Sequence, residues 1–373
     1  MSYPRIDFLY LDEKDMIEAG VTNMHHCVEV MTEVYDILGK GDYVMGGKNH
    51  NSHGQKIRFP KTSQFPNMPT DGPDRRFMAM VAYIGGRFNV SGEKWYGSNR
   101  ENLKKGLPRS VLMTMLNDAD TGAPLALQSA NLLSAVRTGA IPGVGAKYLA
   151  KLDSKVVGLV AAGAISRTCF MGIADVCKDI NMVKIYDIFP EASEKLASFI
   201  REKYPHIKDV KVVNSMEEAV RDSDIVNVAT SGVDIPYFKE EWLKPGVYMS
   251  LPASATFDKD FVINRARNVV DNWKMYEAYS EELNFPFSVS MSALTGHYLD
   301  WIHDGKMDAN QIDNLGDIVA GNIQGRKSDE EIILFCMGGQ PVYDVAWGYT
   351  IYEKAKEMGL GKVLNLWDKP YLY

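Results

Sequence analysis

Between Lys155 and Asp271, short runs rich in Val, Ile, Leu and Met alternate with helix-like stretches, and few folds accept that order. A strand that is followed by a helix and then another strand in one sheet runs parallel to it, because the crossover returns the chain to the same end. The spacing predicts strands from Lys155 to Ala161, Met182 to Asp187, Asp209 to Val213, Asp224 to Ala229, Val247 to Leu251 and Asn268 to Asp271. Between them, residues 164 to 177 place Cys169, Phe170, Ile173, Val176 and Cys177 on one helical face. Pro190 opens a helix to about Lys203, since proline costs little at a first helical position, and Ser215 to Glu218 has the spacing of a capping box. About six parallel strands is the count of a full dinucleotide-binding sheet, so the predicted class is α/β with a Rossmann unit.

The flanks read differently. The first 125 residues combine a helical opening, a Gly- and Asn-rich stretch at 46–54, and strand-like runs at Lys56 to Phe59, Phe77 to Tyr83, Glu93 to Tyr96 and Ser110 to Asn117. These suggest an antiparallel or mixed sheet, giving an α+β flanking part. The connection from Pro60 to Asp74 holds four prolines, and loops of that length usually have a function. Near the other end, Ser328 to Glu331 reads as a second capping box before an apolar run, and Val342 to Met358 as a helix ending at Gly359. Composition excludes several classes. A net charge of -7 with no long basic run argues against nucleic acid, and no apolar run approaches the length of a membrane span. Acidic residues stand where a signal peptide is basic, and the four cysteines form no C-x-x-C pair, so reduced thiols and a cytoplasmic location are expected. The histidines show no metal spacing, and no metal is predicted.

The turn after the first predicted strand, Val156-Val-Gly-Leu-Val-Ala161-Ala162-Gly163-Ala164-Ile165-Ser166, occupies the place of a G-x-G-x-x-G fingerprint. Its first and third glycines are Ala161 and Ser166. Gly163 remains where a backbone must approach a pyrophosphate, ahead of a helix N-terminus with free N–H groups. Asp187 follows 24 residues after Gly163, at the end of the second strand, where a carboxylate accepts from ribose hydroxyls and repels a 2'-phosphate. NAD is therefore favoured over NADP as cofactor, with Ala162 to Ser166 at the pyrophosphate. The alternative is a tight strand-to-helix turn with no ligand.

Upstream lie Asp120-Thr-Gly-Ala-Pro-Leu125, then Asn131-Leu-Leu-Ser-Ala-Val-Arg137-Thr138-Gly-Ala140, then Gly145-Ala-Lys-Tyr-Leu-Ala150. With Gly92-Glu-Lys94-Trp-Tyr96, Ala320 to Arg326 and Phe335 to Asp344, this order resembles the ornithine cyclodeaminase/mu-crystallin family. The resemblance implies an NAD(P)-dependent oxidoreductase of amino acids or their imines, usually a homodimer. It implies a discontinuous substrate and dimerisation domain at residues 1–140 and 320–373, around a Rossmann domain at 141–319. It places Lys94 and Arg137 on the substrate carboxylate and Thr138 on a cofactor phosphate, and Thr230 and Ser231 are expected to border the nicotinamide. Arg137 could instead be a domain-linking ion pair, and Lys94 a surface lysine.

Two carboxylates of ornithine cyclodeaminases are absent. Met78 stands in place of a Glu, and Leu251-Pro-Ala-Ser-Ala-Thr256 holds no Asp. Cyclisation needs a proton-transfer group at the amine, so that activity is disfavoured. Replacements are sought in Asn49 to Arg58, where His53 suits proton transfer on intrinsic pKa and Lys56 or Arg58 can assist a carboxylate; an exposed polar loop is the alternative. The leading expectation is an NAD-dependent amino- or imino-acid oxidoreductase, with Lys94 and His53 as the catalytic candidates. Its rivals are a cyclodeaminase that recycles NAD and a non-catalytic, mu-crystallin-like dinucleotide-dependent binding protein.

Overall fold

A computed structural model describes residues 4–231 and 234–372. Among the described residues, seven strands precede residue 130: β1 (Ile6–Leu11), β2 (Tyr43–Met45), β3 (Gln55–Arg58), β4 (Arg76–Ile84), β5 (Val90–Ser98), β6 (Ser110–Asp118) and β7 (Pro124–Ser129). Then come β8 (Val156–Val160), β9 (Met182–Tyr186), β10 (Asp209–Val212), β11 (Ile225–Val228), β12 (Tyr248–Leu251), β13 (Arg267–Val270), β14 (Ile312–Asn314) and β15 (Ile333–Cys336), and finally β16 (Lys362–Trp367).

The chain forms two compact units. The first comprises Met1–Asn23, Asp42–Val136 and Gln340–Tyr373. Its mixed sheet runs β16-β1-β7-β6-β5-β4-β2, with β3 paired to β4. The helix Pro341–Met358 packs on one face of β4, β5 and β6 and ends at Gly359, whose φ of +68° suits a residue without Cβ. The expected helical opening, the helices Glu13–Glu18 and Met24–Lys40, is preceded by a strand. Ile6–Leu11 lies between β16 and β7, where tertiary pairing outweighs local propensity, and the helix Glu13–Glu18 starts only afterwards at the cap Asp12.

The second unit comprises Met24–Gly41 and Arg137–Gly339. Its sheet is parallel throughout, in the order β10-β9-β8-β11-β12-β15-β13-β14. The six expected strands appear within a residue or so of their predicted bounds, and two more join them. One of these, β15, overturns the reading of Ser328–Glu331 as a helix start: Ile333–Cys336 is buried along its whole length between β12 and β13. Four consecutive apolar residues suit a strand covered on both faces as well as they suit a helical turn. Here the Glu331 carboxylate accepts from Lys327 N and pairs with Arg267. This unit therefore reaches Gly339, beyond residue 319, and also takes in the Met24–Lys40 helix.

The glycines of the Asn131–Leu149 helix mark close approach. A Cβ on Gly139 would stand 2.4 Å from the Thr168 carbonyl, and one on Gly143 would stand 2.5 Å from the Gly172 oxygen. Two helices thus meet backbone to backbone beside the nucleotide turn. Among the described residues, no helix is long and apolar enough to cross a membrane.

Candidate functional site

In the second unit, β8 delivers the chain to a turn at the point where the strand order reverses between β8 and β11, the usual ligand position in a doubly wound sheet. Ala161 has φ +81°, a left-handed conformation that glycine adopts at lower cost. Ala162 N–H donates to Asp187 Oδ2 at 2.7 Å, and Phe189 N–H to Asp187 Oδ1 at 2.9 Å. The half-buried Asp187 at the end of β9 thus holds the turn, with lone pairs left for hydroxyl donors.

Gly163 caps the helix Ala164–Val176 without a side-chain hydrogen bond, and a Cβ on it would meet nothing within 4 Å. Gly163, Ala164 and Ile165 are exposed, so the first-turn N–H groups face open space. Ser166 is buried, and its Oγ has no hydrogen-bond partner in the protein. This cradle fits a dinucleotide pyrophosphate. Thr230 is half-buried and Ser231 exposed, both just past the end of β11, while Thr138 is half-buried on the Asn131–Leu149 helix.

Arg137 is 4% exposed, and its guanidinium stands against Gly339, where a Cβ would lie 3.0 Å from an Arg137 nitrogen. Gly339 has φ +74°, so glycine is favoured there on both counts. The turn is held by Asp271, at the end of β13. Its Oδ2 accepts from Gly338 N and Gly339 N at 2.9 and 3.1 Å, and its Oδ1 from Tyr276 Oη at 2.8 Å. Burial pushes the Asp271 carboxyl up to about 6, against the opposing pull of the Tyr276 and glycine donors.

In the first unit, Lys94 lies mid-β5 between Met80 of β4 and Thr114 of β6, and is 4% exposed. The surface-lysine alternative is thereby excluded. Its Nζ donates to Asp344 Oδ2 at 2.8 Å and to Ser134 Oγ at 3.5 Å. Met78 is fully buried, and its sulfur accepts from Tyr96 Oη at 3.1 Å. Lys56 and Arg58 are exposed on β3, opposite Met78 and Arg76. His53 is half-buried beside Gly54, which packs against Ala79 and Met80. In the segment 251–256, Ser254 Oγ hydrogen-bonds Ser292 Oγ at 2.9 Å, and Thr256 Oγ1 donates to the Pro236 carbonyl at 3.2 Å.

Sequence reasoning passed over Asp344, Asp271, Tyr96 and Arg76. Asp344 had a signal: a lone carboxylate in the apolar first turns of a helix needs a buried cation. Asp271 was visible only as the last residue of a strand.

Residues 20–359 match the model of the Ornithine cyclodeaminase/mu-crystallin family. The chain is 28% identical over 363 residues to a Staphylococcus aureus N-((2S)-2-amino-2-carboxyethyl)-L-glutamate dehydrogenase, covering 97% of this chain and 99% of the relative. It is 30% identical to an Archaeoglobus fulgidus alanine dehydrogenase over 292 residues, 77% of this chain and 83% of the relative. The structure of Thermococcus litoralis Delta(1)-pyrroline-2-carboxylate reductase with NADH and L-proline matches at TM-score 0.76 and 28% identity, covering 95% of this chain and 99% of that one.

Proposed function

The chain belongs to the ornithine cyclodeaminase/mu-crystallin family, and from that premise we propose that it is an NAD-dependent oxidoreductase of amino or imino acids. The observation that carries the cofactor assignment is the open cradle at Gly163 beside Asp187 at the end of β9. The cofactor held there would supply the hydride chemistry that interconverts an imine and an amine, one proton going to or leaving the nitrogen as the hydride is transferred.

The chain's own residues do the rest. The backbone of Ala162 to Ser166 holds the pyrophosphate, with Thr138 at a phosphate, Asp187 at the ribose, and Thr230 and Ser231 beside the nicotinamide. Arg137 grips the substrate carboxylate with a two-pronged guanidinium, and Lys94 adds an ammonium whose charge Asp344 compensates. Lys94 and His53 are the proton-transfer candidates at the substrate nitrogen, with Lys56 and Arg58 as accessory cations. Methionine at position 78 disfavours ornithine cyclisation, because a thioether cannot relay a proton as a carboxylate does.

The test is absorbance at the nicotinamide band with amino acids plus NAD, and with 2-oxo acids plus amines and NADH. Stoichiometric cofactor turnover is expected. Product without net cofactor change would mean a cyclodeaminase, and retained NADH binding with silence across the panel would mean a binding protein. In the same assay, Asp187→Ala should weaken NADH about tenfold or more, the worth of hydrogen bonds to a charged group, and NADPH less, because both lose the turn that Asp187 holds and NADH alone also loses the ribose contact. Equal loss for both cofactors would remove Asp187 from the ribose.

The proposal includes a homodimer. The sheet face of the first unit opposite the Pro341–Met358 helix exposes Ile57, Phe77, Val81, Val111 and Met113, with Phe77 stacked on Trp95 at 5.8 Å. Contiguous apolar surface of this kind is characteristic of a subunit contact. Sedimentation should give twice the 41.7 kDa chain mass and fall to one with Met113→Glu; a monomeric wild type overturns it. Among the described residues no disulfide links the four cysteines, as suits the reducing cytoplasm proposed for it.

A further inference from the structure

The face of the first unit's sheet that carries Lys94 continues past it into a second cluster of cations. Side chains two apart on a strand share a face, so Lys94, Tyr96 and Ser98 of β5 point the same way. Their cross-strand partners on β4 are Met80, Met78 and Arg76, and Lys56 and Arg58 of β3 stand opposite Met78 and Arg76. The Tyr96 ring is the hinge of this row. Lys94 Nζ lies 5.8 Å from its centroid and Arg76 Cζ lies 5.6 Å from it, so the two charges stand no more than about 11 Å apart. Arg76 also reaches Tyr96 Oη at 3.4 Å.

Around Arg76 the positive charge exceeds the negative. Asp74 ion-pairs with Arg76, stands 3.4 Å from Arg109 Nε and accepts from Ser98 Oγ at 2.6 Å. One carboxylate therefore serves Arg76 and Arg109, with Arg58 facing Arg76 across the strands. Burial first, and then the like charges of Arg76 and Arg100, hold the Arg109 guanidinium below its ordinary range. Asp74 itself sits at φ +58°, an uncommon conformation for a residue other than glycine and one that persists where surrounding contacts enforce it. Arg76 is partly accessible, with 27% of its side-chain surface open. Guanidinium groups gathered in excess at the accessible end of a row that begins with a carboxylate-binding lysine are suited to a second carboxylate.

We propose that Arg76, assisted by Arg58 and Arg109, forms a second carboxylate subsite, and that the substrate is an amino or imino acid bearing two carboxylates a few bonds apart. The spacing suits a dicarboxylic amino acid, or a secondary amine whose two arms each end in a carboxylate. This rests on the oxidoreductase reading above, and the reaction is the same: hydride to the imine carbon, one proton to nitrogen.

The test compares NADH consumption by the full chain with ammonium plus 2-oxoglutarate, or plus 2-oxobutyrate, which lacks the second carboxylate. Wild type should favour 2-oxoglutarate in kcat/KM by about a hundredfold, the scale of one charged contact. Arg76→Gln should remove most of that preference through KM and leave 2-oxobutyrate turnover unchanged, and Arg109→Gln, whose guanidinium shares Asp74, should act in the same direction if Arg76→Gln folds poorly. Equal use of the two oxo acids by wild type, or equal loss on both in the variants, overturns the subsite and leaves the oxidoreductase reading intact. Thermal stabilisation by glutarate against butyrate separates the remaining case. If no oxo acid is turned over but glutarate alone stabilises wild type and not Arg76→Gln, the subsite stands and the oxidoreductase reading fails. If neither acid stabilises the protein and nothing turns over, both fail.

Discussion

Arg137→Ala should lower kcat/KM for the amino or imino acid by about thirtyfold to several thousandfold while changing NADH affinity less than threefold. The magnitude follows from removing one partner of a desolvated charge pair, about 2 to 5 kcal/mol, at roughly a tenfold rate change per 1.4 kcal/mol. The split between the two ligands follows from position. The nucleotide turn rests on Asp187 and Gly163, whereas Arg137 stands on the Gly339 turn that Asp271 holds. Arg137→Lys keeps the charge and loses the fork, so it should recover only part of the activity. A structural role for Arg137 would show as a fall in melting temperature with kcat/KM preserved in the surviving folded protein. Normal turnover by Arg137→Ala would remove it from the substrate site.

How much of this was legible in the sequence varies with the range of the interaction. The parallel strands were visible because burial on both faces writes a continuous apolar run, as in Val156–Val160. The nucleotide turn was visible because its requirements are local: a glycine at a helix start and an acid at the next strand's end. β1 and β15 were not, since Ile6–Leu11 and Ile333–Cys336 become strands through pairing with partners far along the chain. The same reason hid the polar contacts. Lys94 and Asp344 are 250 residues apart, and no local pattern links them until β5 and the Pro341–Met358 helix pack together. Arg76 drew no attention because Arg is ordinary at the start of a half-buried strand. Only the register with Ser98 and the shared Tyr96 ring give it a place in the row.

Asp344→Ala should be among the most destabilising single changes in the first unit, by about 3 to 5 kcal/mol. The carboxylate is fully buried and Lys94 has 5% of its side-chain surface exposed, so the alanine leaves a nearly dehydrated ammonium whose charge is no longer compensated. At about 2 to 4 °C per kcal/mol for a unit of this size, the melting temperature should fall by roughly 10 °C. A packing defect alone would give a loss that adds to any second change nearby. The ion pair makes a different demand, because removing both charges removes the desolvation cost of each. The double variant Lys94→Met with Asp344→Leu should therefore be more stable than Asp344→Ala, and its double-mutant cycle should show coupling above 1 kcal/mol. It should nonetheless be inactive, since the ammonium proposed to meet the substrate carboxylate is gone. Stability restored without activity would separate what Asp344 does for the fold from what Lys94 does for the substrate. If instead Asp344→Ala melts within a degree or two of wild type, Lys94 is solvated in solution and its burial no longer supports a place in the site.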